Sequence, residues 1–411
     1  MKIVTVGTGM AAAEFVQQLR QGGFAGEIVM CSDEPHAPYS PCVIPYLLAG
    51  EPADNVYWKG RDFYARYQVT PRLGEKVVEI DREAGLLRTA SGRIENYDRL
   101  FYAAGSRSWF PRPEWLEAEG VFGFKTLSDM QSIDRYIGEH GVQRAVVVGG
   151  GFIGVDAALA LRHRGLQVSL VHCHERLLER MTDADGGRFA TDKLQQRSGI
   201  AFYMQSEVEA LDCNGGQLQR VWLQNGTALE TQLLIVATGF VPNSALLSGR
   251  EEGIAVGDDL LADPRILVAG DVAVTRHAID GPDGLYATAP NAIAQARVAA
   301  ANILGGVERY AGSLNANVLR KHIDFPVVSA GRFEGESVTF SNDRLFRRVY
   351  LCDDRINGYI LVGDTRLAGY IYDLYVSRQP VADKIQGILA DIRGESYYRS
   401  LMGLAPVAPA C

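Results

Sequence analysis

The sequence predicts an α/β chain with two parallel, doubly wound sheets and a smaller α+β domain behind them. Three observations carry that expectation. A strand–glycine turn–helix unit lies near residue 7, a second unit of the same design lies near residue 149, and the texture changes to strand-like alternation after residue 310. With 411 residues the chain is too long for one compact core and suits two or three domains of ordinary size.

The first unit begins with Lys2 to Val6, a short β-branched strand, and Gly7-Thr8-Gly9-Met10-Ala11-Ala12 follows directly. Apolar spacing then turns helical through Phe15, Val16 and Leu19, and Gly22-Gly23 ends the helix. Gly26 to Met30 reads as the next strand and runs into Cys31-Ser32-Asp33-Glu34. This is the βαβ pattern that seats a dinucleotide. Gly7 allows the tight turn, Gly9 lets the backbone approach a pyrophosphate, and Ala12 is small enough for close helix–strand packing. The helix N-terminus faces the phosphates, and an acid after the second strand takes a ribose hydroxyl pair. Asp33 is the first candidate for that acid and Glu34 the second.

The second unit repeats the design. Ala145 to Val148 is a buried strand, Gly149-Gly150-Gly151-Phe152-Ile153-Gly154 is the turn, and a helix runs to about Arg164. Gly165 breaks it, and Val168 to Val171 forms the following strand. A lone G-x-G-x-x-G is weak. Two copies in strand–turn–helix context leave little room for unrelated glycine loops.

Composition narrows the function classes. Hydrophobic residues at 47% and charged residues at 22% fit a globular cytoplasmic protein. A net charge of −8 speaks against nucleic-acid binding, which needs a basic surface. The first residues lack the apolar core and cleavage site of a signal peptide, and no apolar run is long enough to predict a membrane span. Six cysteines at 31, 42, 173, 213, 352 and 411 show no Cys-x-x-Cys and no zinc spacing. No metal site and no iron–sulfur ligand set within the chain is expected, and a reducing compartment suits the thiols.

After Tyr310-Ala311-Gly312, Val327 to Ala330, Ser337 to Phe340, Arg347 to Leu351 and Gly358 to Val362 alternate like antiparallel strands. Turns are expected at Asn342-Asp343 and Asn357-Gly358, and helices from Gly363–Tyr370 onward to about Ala390. Arg344, Arg347 and Arg348, with Phe346 and Tyr350, read either as a docking patch for an acidic partner or as a solvated strand face. Tyr397 and Tyr398 are candidates to approach a partner. The tail after Leu404 is expected to be disordered.

With both glycine turns in hand, the chain resembles the pyridine nucleotide–disulfide oxidoreductase family over about residues 1–310. Tyr97-Asp98 through Ala103-Ala104-Gly105-Ser106 is similar to the family's first Ala-Thr-Gly motif, and Val236 through Asn243 to its second. Leu267-Val268-Ala269-Gly270-Asp271 resembles the late flavin motif. The resemblance implies two Rossmann-like domains, the second inserted in the first, plus a C-terminal α+β interface domain that often dimerises. FAD would take 1–107 and 238–310, NAD(P) would take 108–237, and the interface domain would span 311–411. On the FAD side it implies Gly7, Gly9, Ala12, Asp33, Glu34, Ser40, Pro41, Cys42, Val77, Ala104 and Gly105. Asp271 would hold the ribityl–phosphate part. A helix starting within 287–297, with Ala289, would point its N-terminus at the flavin's pyrimidine edge.

On the NAD(P) side the resemblance implies Gly149, Gly151, Phe152, Ile153, Gly154 and Gly239. Asp156 stands where relatives often carry a glutamate near the nicotinamide amide; the plainer reading is a capping or surface aspartate. NAD is favoured, with Glu175 reaching the ribose. NADP stays open, because Arg176 or the histidines of His172-Cys173-His174 could meet a 2′-phosphate. A metal held by those three residues lacks a convincing fourth ligand.

Pro38-Tyr39-Ser40-Pro41-Cys42-Val43-Ile44-Pro45-Tyr46, then Leu47-Leu48-Ala49-Gly50-Glu51, resembles two branches. One is the single-cysteine branch of NADH oxidases and CoA-disulfide or sulfur reductases, with a redox thiol against the flavin. The other is the rubredoxin and nitrite reductase branch, which lacks the cysteine. Met10 stands where oxygen- and peroxide-reducing relatives place a histidine, and a second cysteine for a dithiol is missing. The expected function is hydride exchange between nicotinamide and flavin, with single electrons to or from an iron–sulfur protein or subunit. The NAD-reducing subunit of a 2-oxoacid (phenylglyoxylate-type) dehydrogenase complex is the specific expectation. The alternatives are a Cys42-dependent CoA-disulfide or polysulfide reductase or NADH oxidase, working as a homodimer, and a non-catalytic flavin redox sensor.

Overall fold

A computed structural model describes residues 1–52, 56–279, 281–320 and 322–390. One six-stranded sheet runs in the order Leu261–Asp263, Ile266–Val268, Arg99–Tyr102, Lys2–Val6, Glu27–Ser32 and Thr70–Leu73. Lys2–Val6 lies inside this sheet, parallel to both neighbours, with Val4 opposite Val29 and Leu100. A strand buried on both faces needs a continuous apolar run, and Ile3 and Val4 are fully buried. The second sheet has five parallel strands, in the order Ala201–Met204, Gln167–His172, Arg144–Val148, Leu233–Val236 and Val121–Gly123.

Helix Met10–Gln21 packs against helix Ala289–Ile303 in one core with the first sheet. Alanines at 12, 13, 296, 299 and 300 are all fully buried, and their small side chains let the two backbones approach. Helix Phe152–His163 plays the corresponding part on the second sheet, through Ala157, Ala158 and Ala160.

The C-terminal sheet is antiparallel, ordered Asn317–Leu319, Val327–Gly331, Arg355–Val362, Phe346–Cys352 and Glu336–Ser341. Helices Ala368–Ser377 and Ile385–Ala390 share a core with it. Through Phe346, Tyr350 and Ile360 it also joins the core that holds Ala190 and Leu194 of helix Ala184–Arg197.

Two expectations for this region are corrected. Asn357-Gly358 is not a turn, because Gly358 pairs with both Gly331 and Tyr350 inside the sheet. The turn falls at Asp353-Asp354, between the paired Cys352 and Arg355, and both aspartates take left-handed φ values of 49° and 60°. Two-residue hairpin loops favour that geometry, and aspartate tolerates it. Arg344 is exposed, but Arg347 and Arg348 form neither a docking patch nor a solvated face. Arg347 is fully buried, donates to the Leu389 carbonyl at 2.8 Å and meets Asp364 at 3.1 Å. Arg348 is held by Asp183 at 2.6 Å and Asp185 at 2.9 Å. Tyr397, Tyr398, Cys411 and the tail after Leu404 lie outside the described residues. Among the described residues, no helix is long and apolar enough to cross a membrane.

Candidate cofactor site

Each glycine turn closes on the motif strand beside it. The Gly7 N–H donates to the Cys31 carbonyl at 2.8 Å, and the Gly149 N–H to the Val171 carbonyl at 2.9 Å. Gly7 has φ +100°, and a β-carbon there would stand 2.1 Å from the Ala103 carbonyl oxygen. Gly149 has φ +117°, and its β-carbon would stand 2.2 Å from the Ala237 carbonyl oxygen. Only glycine fits either place. The N-caps of the two helices, Gly9 and Gly151, are the opposite case, with no protein atom within 4 Å of a β-carbon. Each turn thus has a first glycine jammed against its own sheet and a later one opening outward at a helix N-terminus. Such a cradle fits a dinucleotide diphosphate.

Around the first turn, several distant segments converge. Asp271 accepts from the Ser106 hydroxyl at 2.5 Å and from Lys125 Nζ at 3.0 Å. Burial would push its carboxyl up, but the Lys125 charge and the Ser106 hydrogen bond hold it below the usual carboxylate range. Gly270, just before it, donates to Gln295 of helix Ala289–Ile303 at 2.7 Å. The Asn243 side chain donates to the Ala104 carbonyl at 2.9 Å, and its N–H to the Gly105 carbonyl at 3.0 Å. Ala289 is the first residue of its helix, Ala12 is fully buried, and Val77 is buried at the start of strand Val77–Asp81.

The two candidate acids after Glu27–Ser32 separate. Asp33 is exposed. Glu34 accepts from the Tyr39 hydroxyl at 3.0 and 2.8 Å through its two oxygens, and burial pushes its carboxyl up to about 7. The Tyr39 hydroxyl also accepts from the Leu127 N–H at 3.0 Å, so this tyrosine ties the second strand's end to helix Leu127–His140. Ser40 is half-buried, and Pro41 and Cys42 are exposed in the 3₁₀ turn Pro41–Val43. Helix Ile44–Leu48 follows and packs on helices Leu127–His140 and Phe152–His163.

Around the second turn, Ile153 is 45% exposed beside the half-buried Phe152. A β-carbon on Gly154 would stand 1.9 Å from the Gly149 carbonyl oxygen, so this third glycine is required too. The Gly239 carbonyl accepts from Trp109 N–H at 3.0 Å. Asp156 is fully buried in its helix, which removes the capping and surface readings. Glu175 is exposed and lies 3.6 Å from Arg176 and 3.9 Å from Arg188. His172 Nδ1 accepts from the Gly150 N–H at 3.1 Å, tying the strand end to the turn.

Three participants escape a motif search. Glu14 has a side chain only 1% exposed, which meets Lys59 at 2.7 Å and Arg297 at 2.7 Å. Burial would raise its carboxyl, yet Lys59 and Arg297 hold it below its usual range. Lys125 and Tyr39 are the other two. Glu14 alone left a signal in the sequence: it follows Gly7 by the spacing that separates Asp156 from Gly149.

Comparison with known proteins decides the family. Residues 1–296 match the pyridine nucleotide-disulphide oxidoreductase family. The chain belongs to that family. It is an FAD-dependent oxidoreductase that uses NAD(P)(H). It is 27% identical over 395 residues to the assimilatory nitrate reductase electron transfer subunit of Bacillus subtilis, covering 93% of this chain and 50% of that protein. It therefore spans about half the length of that relative. It is 28% identical to subunit epsilon of the NADH-dependent phenylglyoxylate dehydrogenase of Aromatoleum evansii, over 92% of both. The solved covalent complex of putidaredoxin reductase with putidaredoxin contains a chain that superposes with a TM-score of 0.84 at 25% identity. That match covers 97% of this chain and 98% of the other.

Proposed function

We propose that this chain carries electrons between NAD(P)(H) and an iron–sulfur protein or subunit. More narrowly, it is the NAD-reducing FAD subunit of a 2-oxoacid (phenylglyoxylate-type) dehydrogenase complex. The cofactors supply hydride transfer between nicotinamide and flavin. The chain supplies placement: glycine turns and helix N-termini for the two diphosphates, the Ser106–Asp271–Lys125 array for the flavin's ribityl arm, and the Glu175 region for the nicotinamide dinucleotide's ribose.

The observation that carries this reading is the isolation of Cys42. It is an exposed thiol with no second cysteine on its loop, so a dithiol relay has no partner. Cys31, the nearest cysteine in sequence, is buried, and burial pushes its thiol up to about 12. Without a dithiol relay, electrons leave either for an external carrier or through single-thiol chemistry at Cys42, and the relatives favour the carrier. The relatives named as an electron transfer subunit, as a dehydrogenase subunit and as a reductase joined to putidaredoxin support that direction.

The test is native purification combined with Cys42→Ser. Co-purifying iron-containing subunits, with NADH-driven dye reduction retained in Cys42→Ser, are the expected result. A lone homodimer that reduces CoA disulfide or polysulfide, and loses this in Cys42→Ser, would replace the proposal with the thiol-reductase reading. Slow turnover with every acceptor would point to the sensor.

A further inference from the structure

We propose that Glu51, His163 and His322 form a binding site for a divalent transition metal of the zinc(II) kind, at a junction of three segments remote in sequence. Glu51 lies just past the C-terminal end of helix Ile44–Leu48, the helix that the Cys42 turn leads into. His163 is the last residue of helix Phe152–His163, which begins at the second glycine turn. His322 lies in the connection ahead of strand Val327–Gly331 of the C-terminal sheet. No spacing rule links these positions, so the site is invisible to a search for ligand motifs.

The geometry suits coordination. One ligand atom from each residue lies within 4.8 Å of the others. His322 Nδ1 already stands 3.5 Å from Glu51 Oε1. Tetrahedral zinc with bonds of about 2.0–2.1 Å sets neighbouring ligand atoms roughly 3.3–3.5 Å apart. One edge of the tetrahedron is therefore in place, and the exposed His163 offers its ligand nitrogen within 4.8 Å of both other ligand atoms.

The third ligand is held. The His322 side chain is 4% exposed, with the Tyr46 ring edge-on at 5.3 Å and the His163 ring at 4.8 Å. The segments around it are tied as well, since Arg164 donates to the Leu48 carbonyl at 3.4 Å. Arg162 and Arg164 flank His163 in the chain, and the ion pair of Arg164 with Asp134 at 2.6 Å offsets one of the two charges.

The donor set selects the metal class. Two imidazoles and one carboxylate favour zinc or its neighbours, whereas magnesium and calcium demand oxygen ligands. Two histidines and a glutamate leave a fourth position for water. A metal here would clamp the end of helix Ile44–Leu48 to the helix of the second glycine turn and to the C-terminal domain. It would thereby fix the cleft between the two dinucleotide units.

The experiment uses the full-length flavoprotein, stripped with a chelator and titrated with zinc(II) by calorimetry. One zinc per chain is expected, with a rise in the thermal midpoint and no competition from magnesium. His163→Ala and Glu51→Gln should each weaken binding at least about ten-fold, since even the outer partners of metal ligands are worth that much. Flavin absorbance and the metal-free melting midpoint verify that both variants fold. His174→Ala, on a separate exposed histidine, should bind as the parent does. Equal zinc affinity in the parent, His163→Ala and Glu51→Gln, or loss of binding in His174→Ala, would overturn the site. Either result would reduce the cluster to a contact between His322 and Glu51.

Discussion

The two glycine turns are the same device executed twice, and they differ at the third small residue and at the strand end. In the first, Ala12 occupies the third position, fully buried, and helix and strand stand far enough apart to accept its methyl group. In the second, Gly154 lies so near Gly149 that a methyl would stand 1.9 Å from the carbonyl oxygen. At the strand ends, Ser32 Oγ accepts from the Glu34 N–H, whereas His172 reaches back to the Gly150 N–H of the turn itself. The first turn is therefore braced from outside, by Glu14, Lys59, Arg297 and the Asp271 array. The second is braced from within, by its own tight packing and one imidazole.

Swapping the third residues tests that contrast most severely. Gly154→Ala should cost about 4 kcal/mol or more, since backbone is the obstacle and cannot yield like a flexible side chain. Ala12→Gly should cost about 1 kcal/mol, the ordinary helix penalty. Thermal melts with flavin and NADH binding read both. Similar costs for the two changes would erase the distinction between the turns.

The next largest effect concerns the buried acids. Glu14 and Asp156 hold the same place after their first glycines, and both are buried. Glu14→Gln should destabilise by about 3 kcal/mol, because two cations lose the carboxylate they were ordered around. Its depressed carboxyl means this stability is present above the ordinary value of 4.5 and is lost as pH falls through the lowered folded value. The variant should accordingly flatten the acid limb of a stability-versus-pH curve. An unchanged acid limb would show that other carboxylates govern it.

This pair also marks how far the sequence is legible. The strand–turn–helix units and the antiparallel C-terminal sheet follow from periodicity and glycine placement, which are local properties. Lys125, Lys59 and Arg297 reach their partners only through the tertiary fold, from 146, 45 and 283 residues away. Arg347 departs from the expectation for a related reason: alternation locates a strand but does not say which face a neighbouring helix will cover. Its burial follows from the C-terminal helices, as the hydrogen bond to Leu389 records. Asn357-Gly358 carried a strong turn signal, yet the register of three strands overrode it.

Glu34 offers a smaller effect of opposite sign. Burial, with Asp33 and Asp129 nearby, raises its carboxyl from 4.5 to about 7 despite the Tyr39 hydrogen bond. A raised carboxyl contributes fully below 4.5 and loses that contribution as pH rises through 7. Glu34→Gln keeps a partner for Tyr39 without the charge, so it should stabilise by about 2 kcal/mol at pH 8 and change little at pH 4. Melting curves at the two pH values decide it. Destabilisation at pH 8 would mean that the ionised carboxylate has a ligand-holding role that outweighs its burial.

His172 gives the finest test of internal bracing. Its Nδ1 accepts from Gly150, which requires the neutral ring, and burial followed by the nearby His174 lowers its pKa below 6.5, while Glu179 opposes. The bond's contribution is therefore complete above 6.5 and is lost as pH falls through the lowered folded value. Asparagine can present an oxygen close to where Nδ1 lies but does not titrate. His172→Asn should keep NADH affinity at pH 7.5 and remove about 1 kcal/mol of its weakening on the acid side. His172→Leu, which leaves the Gly150 N–H without its acceptor, should lose affinity at every pH while the flavin stays bound. If both variants track the parent across the pH range, the second turn holds its shape by packing alone, and the imidazole is a passenger at the strand end.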